Sequence, residues 1–237
     1  MNTEERHLPL EDILKSKPIY SGNSIHFAVD KHRILRFSSA RVLRENIPDT
    51  QLEDAALLEQ LTTYAEGEFS LLESYGIHIP EHTYGISSYD HQMGVFCVTE
   101  RVVGQSLFAS ELKDIPFSQL RILFEALVGY ILRKHQDQAP LAIWNDISIK
   151  QFMYGHVVDQ AVDLIYLTDL DPIIFIAPAP RYIDDAIHRL GNLLNIFRDQ
   201  LIPSQIQELE AIYVKLPKTG SGYDPSSRHP FQWRNFT

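Results

Sequence analysis

The sequence predicts an α+β fold in which a small β-rich lobe precedes a minimal, mainly helical lobe. Short β-prone runs flank one helical segment in the first hundred residues, and longer segments with apolar residues at helical spacing dominate the remainder. The chain has 237 residues, of which 44% are hydrophobic, and this suits one large domain or two small lobes that share a cleft. We expect residues 1–103 to form the first lobe and residues 104–237 the second, which ends in a polar tail.

The individual elements follow from local patterns. The run Ser21-Gly22-Asn23-Ser24 predicts a turn between two short strands, because Gly and Asn tolerate positive φ. Residues 51–75 carry apolar side chains at helical spacing, Gly76 predicts the end of that helix, and Pro80 prevents its resumption. Further predicted elements, in chain order, are strand 33–37, strand 94–100 with an exit at 101–104, helix 117–136, short strands 152–154 and 164–167 joined as a hairpin, and a helical region from about 183 to 213.

Composition excludes several classes of function. The formal net charge is -10 and the chain contains no long run of Lys and Arg, so we expect neither nucleic acid nor an anionic membrane surface as a partner. Cys97 is the single cysteine, which excludes an intramolecular disulfide and a Cys-rich zinc site. No stretch approaches the roughly 20 apolar residues of a membrane-spanning helix, and the N-terminal residues lack the apolar run of a signal peptide. We therefore expect a cytoplasmic protein.

Five segments place charged, amide or glycine residues at the ends of predicted strands and helices. In chain order they are the turn with Gly22 followed by Arg36, Glu68 in helix 51–75, Glu100 before Gly104, Asp146 with Lys150 and Gln151 four and five residues later, and Asp169 at the end of an apolar strand. Together these segments, over about residues 18–197, resemble the landmarks of protein kinases and of related small-molecule phosphotransferases such as aminoglycoside kinases. The resemblance implies a two-lobed kinase-like fold that binds ATP and Mg²⁺.

The resemblance also implies roles in the first lobe. The hairpin with Gly22 would cover the nucleotide phosphates, and Arg36 would hold the α- and β-phosphates. Glu68 would pair with Arg36 and position it, although Glu66 and Glu73 lie in the same helix and are alternatives. Backbone groups beside Glu100, where the lobes join, would pair with adenine.

The second lobe would supply the chemistry. By the resemblance, Asp146 orients or deprotonates the acceptor hydroxyl, and Lys150 offsets the charge of the transferred phosphoryl group. Asp169 and Gln151 would hold the metal ion. The family has Asn where this chain has Gln151, so the ligand is one methylene longer here. Trp144-Asn145 also departs from the residues that usually precede the catalytic Asp.

These residues predict an ATP-dependent phosphotransferase that acts on a hydroxyl group of a protein or a small molecule. The departures at 144–145 and at Gln151 keep an alternative open, a catalytically inactive pseudokinase that binds or scaffolds. A third possibility is an interaction protein of unrelated α+β fold, in which Arg36 and Asp169 would not meet in a cleft.

Overall fold

The structure confirms the α+β class, with two antiparallel sheets and a set of helices packed against them. It is a computed structural model, and it describes residues 13–14, 16–22, 24–44, 52–108, 112–137, 139, 149–172 and 179–217. Among these residues, no helix is long and apolar enough to cross a membrane. The predicted catalytic Asp146 lies outside the described residues, as do Trp144 and Asn145.

The first sheet has five antiparallel strands in the order β1-β2-β3-β5-β4. Its strands are β1 (Tyr20–Ser21), β2 (Ile25–Ala28), β3 (Arg33–Ser39), β4 (His82–Tyr89) and β5 (Gln92–Glu100), and between β3 and β4 the chain forms the helices α1 (Ala40–Arg44) and α2 (Asp54–Ser74). As predicted, α2 stops before Gly76, which adopts a φ of 97°.

Strand β4 was not predicted, and the turn that joins it to β5 explains why. Asp90 and His91 form this turn with φ values of 48° and 61°. Two-residue hairpin turns of type I′ need positive φ at both central residues, and Asn-Gly or Asp-Gly usually occupies these two positions. Asp and His adopt such angles less often, so the hairpin carries no obvious sequence signal.

The second sheet has three antiparallel strands in the order β6-β7-β8. They are β6 (Val102–Ser106), β7 (Phe152–Val157) and β8 (Leu164–Leu167), and the helices of this half are α3 (Phe117–Asp137), α4 (Ala179–Arg198) and α5 (Pro203–Tyr213). The chain leaves β5 after Glu100, as predicted, but residues 102–104 of the predicted exit already belong to β6. The predicted helical region is divided in two, and Pro203, which has no backbone N–H to donate, opens the second helix.

The two halves share one hydrophobic core. Phe69 and Leu72 of α2 lie in the same buried cluster as Phe124 and Leu127 of α3. A backbone hydrogen bond of 2.9 Å from the Leu167 N–H to the His78 carbonyl also joins β8 to the segment that follows α2. Helix α2 is therefore packed against both the first sheet and the helical half.

A buried ion pair lies within this helix contact. Glu68 on α2 and Lys134 on α3 are 6% and 5% exposed, and the Lys134 ammonium donates a hydrogen bond to the Glu68 carboxylate. The Tyr130 hydroxyl donates a second bond of 2.5 Å to Glu68. The Lys134 Nζ also lies 5.5 Å and 5.6 Å from the ring centroids of Tyr64 and Tyr130. The expectation that Glu68 pairs with Arg36 is therefore wrong, because Glu68 faces α3.

We expect Lys134→Met to lower the free energy of unfolding by about 3–5 kcal/mol, because it leaves the Glu68 carboxylate buried without its cation. Adding Glu68→Leu should recover most of this loss, since the pair is then replaced by apolar groups. Urea unfolding followed by circular dichroism measures both effects. Arg121→Met is the control, because Arg121 bonds Glu125 on the exposed face of α3, and its loss should cost less than about 1 kcal/mol. Equal losses for Lys134→Met and Arg121→Met would contradict the expectation.

We also expect Gly104→Ala to lower the free energy of unfolding, by about 1–3 kcal/mol. Gly104 of β6 pairs with Gly155 of β7, and a Cβ at Gly104 would lie 2.2 Å from the Tyr154 carbonyl oxygen. Gly85→Ala in β4 is the matched control, because its added Cβ would meet no atom within 4 Å. Thermal and urea unfolding of the two variants test the difference. An unchanged free energy of unfolding for Gly104→Ala would show that β6 and β7 can move apart to admit the methyl group without loss of stability.

Candidate active-site cleft

One row of side chains crosses the whole first sheet. Reading from β1 to β4 through the paired positions, it consists of Tyr20, His26, Arg36, Cys97 and Tyr84. Directly paired residues of an antiparallel sheet project from the same face. Arg36 and Tyr84 contact residues 169–171 of the second half, so this row forms the roof of the cleft between the halves.

Three side chains of the first sheet hold residues 169–171. The Arg36 guanidinium donates a hydrogen bond to Asp169 and lies 3.4 Å from a carboxylate oxygen of Asp171. The Ser38 hydroxyl donates to Asp171 at 2.8 Å, and the Tyr84 hydroxyl donates to the Leu170 carbonyl at 2.5 Å. We call these contacts the acid-segment clamp. Through it, Arg36 and Asp169, two of the predicted site residues, meet where the two halves join.

The clamp places two carboxylates around one cation. Burial tends to lower the pKa of Arg36, but the charges of Asp171 and Asp169 outweigh it, and the pKa lies above its usual value. Burial raises the pKa of Asp171, and the charge of Arg36 opposes that shift. When both carboxylates are ionised, the cluster carries one excess negative charge. A bound cation would offset this charge.

Gln151 supplies a further oxygen near the clamp. Its backbone carbonyl accepts hydrogen bonds from the Thr168 N–H at 2.9 Å and from the Thr168 hydroxyl at 3.1 Å, which places Gln151 beside the strand end that carries Asp169. Its side-chain Oε1 is buried and has no hydrogen-bond partner in the described part of the chain. Carboxylate and amide oxygens are donor types that hard cations accept, and Asp169 and Gln151 provide one of each.

The row also contains two groups that are neutral at neutral pH. Burial and then the charge of Arg36 lower the pKa of His26 to about 4. Burial raises the pKa of the Cys97 thiol to about 12, so this cysteine is not an activated nucleophile. Sequence reasoning missed His26. The available signal was the register of the β2–β3 pair, which sets His26 directly opposite Arg36.

The remaining predicted residues lie at the edges of the cleft or away from it. Gly22 is exposed in the β1–β2 turn, where its N–H donates to the Ser24 carbonyl at 3.1 Å. Its φ is not positive, unlike that of Gly76. Lys150 is exposed, and its Nζ lies 5.1 Å from the ring centroid of Phe108. Glu66, one of the two alternatives to Glu68, is exposed on α2. Burial raises the pKa of the half-buried Tyr84, and nearby charges, including that of Glu66, raise it further.

Glu100, at the expected junction of the lobes, is already engaged within the protein. Its N–H donates to the Glu81 carbonyl at 2.9 Å, and its carboxylate accepts from the Glu81 N–H at 3.1 Å. The next amide, that of Arg101, donates to the His32 carbonyl at 2.6 Å. An adenine contact at Glu100 stays a prediction.

A cavity of about 300 Å³ lies beside Glu100 and outside the clamp. Its polar lining includes Glu73, His78, Glu100 and Tyr166, and neither Arg36 nor Asp169 borders it. The cavity is therefore distinct from the cleft that the row and the clamp define.

Comparisons with known proteins found similar solved structures at low sequence identity. No protein-family model matches the sequence, and no curated protein shows a significant match. The bifunctional kinase-methyltransferase WbdD is similar at 15% identity and a TM-score of 0.38, over 83% of this chain and 43% of that chain. WbdD in complex with a kinase inhibitor gives 15% identity and a TM-score of 0.40, over 84% and 45%.

A third similar structure is the GDP and kanamycin complex of APH(2")-IIia, at 13% identity and a TM-score of 0.35, over 85% of this chain and 83% of that chain. The chain thus spans less than half the length of WbdD. The proposed roles of the cleft residues rest on contacts within this chain.

Proposed function

We propose that this chain is a phosphotransferase that uses ATP and Mg²⁺ to phosphorylate a hydroxyl group of a protein or a small molecule. The meeting of Arg36 with Asp169 and Asp171 at the junction of the two halves carries the proposal. Phosphoryl transfer needs a fixed cation for the phosphates and oxygen ligands for a metal ion at one place. The buried, unpartnered Gln151 Oε1 supports the second requirement.

Each clamp residue has a part in this proposal. Arg36 would grip the phosphates with its guanidinium donors, which match phosphate oxygens in pairs. Asp169 and Gln151 would hold Mg²⁺, whose positive charge offsets that of the phosphate oxygens. Ser38 and Tyr84 bond the segment that carries Asp169 independently of Arg36. They would keep Asp169 oriented when Arg36 turns from the carboxylate to a phosphate.

The transfer itself would depend on Asp146 and Lys150. The acceptor oxygen bonds to the γ-phosphorus while the bond from that phosphorus to the ADP oxygen breaks, and the acceptor proton passes to the Asp146 carboxylate. Lys150 would offset the charge of the transferred group. It lies in the short helical turn Ile149–Gln151 that leads directly into β7.

The alternative is a pseudokinase that binds a partner or a nucleotide without transfer. One observation favours the pseudokinase. Arg36 bonds Asp169 directly, so the residue proposed to bind phosphate is already paired with the residue proposed to bind the metal ion. The departures at Trp144 and Asn145 point the same way. Binding and turnover measurements separate the two functions.

We expect ATP with Mg²⁺ to raise the melting temperature of the protein, and Asp169→Asn to abolish most of that rise. A ligand that binds only the folded state stabilises it by about 2.7 kcal/mol at a hundredfold excess over its Kd. A thermal-shift assay with and without Mg²⁺ measures the effect. Asp163→Asn is the matched control, because Asp163 is an exposed carboxylate that bonds His156 on the β7–β8 hairpin. Equal shifts for both variants would remove Asp169 from the site.

We expect Asp146→Asn to keep nucleotide binding and to lower the rate of phosphoryl transfer by about 10²–10⁴-fold. The amide has nearly the same shape but cannot accept the acceptor proton, and Asp146 would touch the acceptor rather than the nucleotide. ATP turnover and autophosphorylation are measured beside ATP affinity. Wild-type turnover equal to that of Asp146→Asn, with ATP bound by both proteins, would establish the binding module instead.

A further inference from the structure

We propose that His26 is a phosphate-binding residue of the nucleotide site and acts beside Arg36. The inference rests on the proposed phosphotransferase function and adds to it a residue of the sheet that forms the roof. His26 is half-buried on β2 and pairs directly with Arg36 on β3. The Cβ atoms of directly opposed residues lie about 4.5–5.5 Å apart, so the imidazole and the guanidinium project side by side into the cleft.

The charges of the cleft reach the His26 ring. Burial has the largest effect on the pKa of His26 and lowers it, the charge of Arg36 lowers it further, and the charge of Asp169 raises it. A phosphate chain that lies between Arg36 and Asp169 would therefore pass close to the imidazole. The ring is neutral at neutral pH, and it would offer a hydrogen bond without adding a charge to the site.

Ser24 leaves His26 one nitrogen for a ligand. The Ser24 hydroxyl, which is itself buried, lies 3.0 Å from His26 Nε2. A neutral imidazole has one donor and one acceptor nitrogen, and a hydroxyl serves as either donor or acceptor. When Ser24 donates to Nε2, Nδ1 carries the proton. No described residue bonds Nδ1, so this N–H is available to an anion.

The Tyr20 ring packs beside the His26 ring, and the lack of a side chain at Gly22 leaves space for Tyr20. The Tyr20 and His26 ring centroids are 5.0 Å apart. A Cβ at Gly22 would lie 2.5 Å from the Tyr20 hydroxyl oxygen, so any larger residue at position 22 would displace that ring. The turn glycine thus supports His26 through Tyr20, by the space it leaves and not by a positive φ.

The sheet register favours a phosphate over the base as the ligand of His26. Glu100, where the resemblance puts adenine, pairs with Arg33, whereas Arg36 is three residues farther along β3 and pairs with Cys97. At about 3.3 Å per residue, the row that contains His26 is about 10 Å from the Glu100 position. His26 therefore lies at the phosphate end of the cleft.

Calorimetric titration with ATP and with adenosine, both in Mg²⁺, tests this role. We expect His26→Ala to weaken ATP binding about tenfold, the size expected for a hydrogen bond to a charged group, and to leave adenosine binding unchanged. His26→Asn should keep most of the ATP affinity, because its amide nitrogen lies near the position of Nδ1. His26→Gln should behave like His26→Ala, because its amide lies near Nε2.

His91→Asn is the histidine control, because His91 is exposed in the β4–β5 turn, where Asn tolerates the positive φ. One outcome overturns the His26 role and leaves the proposed function standing. In that outcome the wild type binds ATP, Asp169→Asn abolishes ATP binding, and His26→Ala leaves ATP binding unchanged. Equal losses for ATP and adenosine in both His26→Ala and His26→Asn would overturn the phosphate role and show that the ring supports the fold. A wild type that binds no ATP overturns both proposals.

Discussion

The cleft depends on one guanidinium shared by two carboxylates. Arg36 comes from the middle strand of the first sheet, and Asp169 and Asp171 follow the last strand of the second sheet. An isolated, largely buried arginine would carry a large desolvation cost, and the two acids offset it. The charge of Arg36 in turn offsets the desolvation cost of the two carboxylates. One of the contacts between the two halves is thus made of the charges that a nucleotide and a metal ion would use, so binding would exchange partners within the cluster.

Glu68 binds residues of α3 and not Arg36, so α2 makes no ion pair with the cleft through this residue. Its carboxylate bonds Lys134 and Tyr130 of α3, and Arg36 has Asp169 and Asp171. Moving Glu68 towards Arg36 would break a buried ion pair, which is strongly unfavourable when one charge stays behind. Helix α2 is therefore held by the helical half. The carboxylates that pair with Arg36 come from residues 169–171, so this pairing does not depend on the position of α2.

Local patterns and the resemblance predicted the fold class and the meeting of Arg36 with Asp169, since both residues follow directly from strand positions. They failed where a partner distant in the chain decides the outcome. Glu66, Glu68 and Glu73 all lie on one predicted helix, and the burial of Glu68 depends on Lys134, which is 66 residues away. His26 required the register of β2 against β3, which a strand of four residues does not reveal in the sequence. Gly104 looked like the end of a strand, but it pairs with Gly155 inside a second sheet.

The shared core limits how this chain can be dissected. The buried cluster that includes Phe69 and Leu72 of α2 continues through α3 into α4 and α5. A cut near the boundary between residues 103 and 104 would divide that cluster and expose part of it on each fragment, although two smaller clusters lie wholly within the first half. Because the halves share this cluster, we expect a fragment that encodes either half alone to expose apolar surface and to be aggregation-prone.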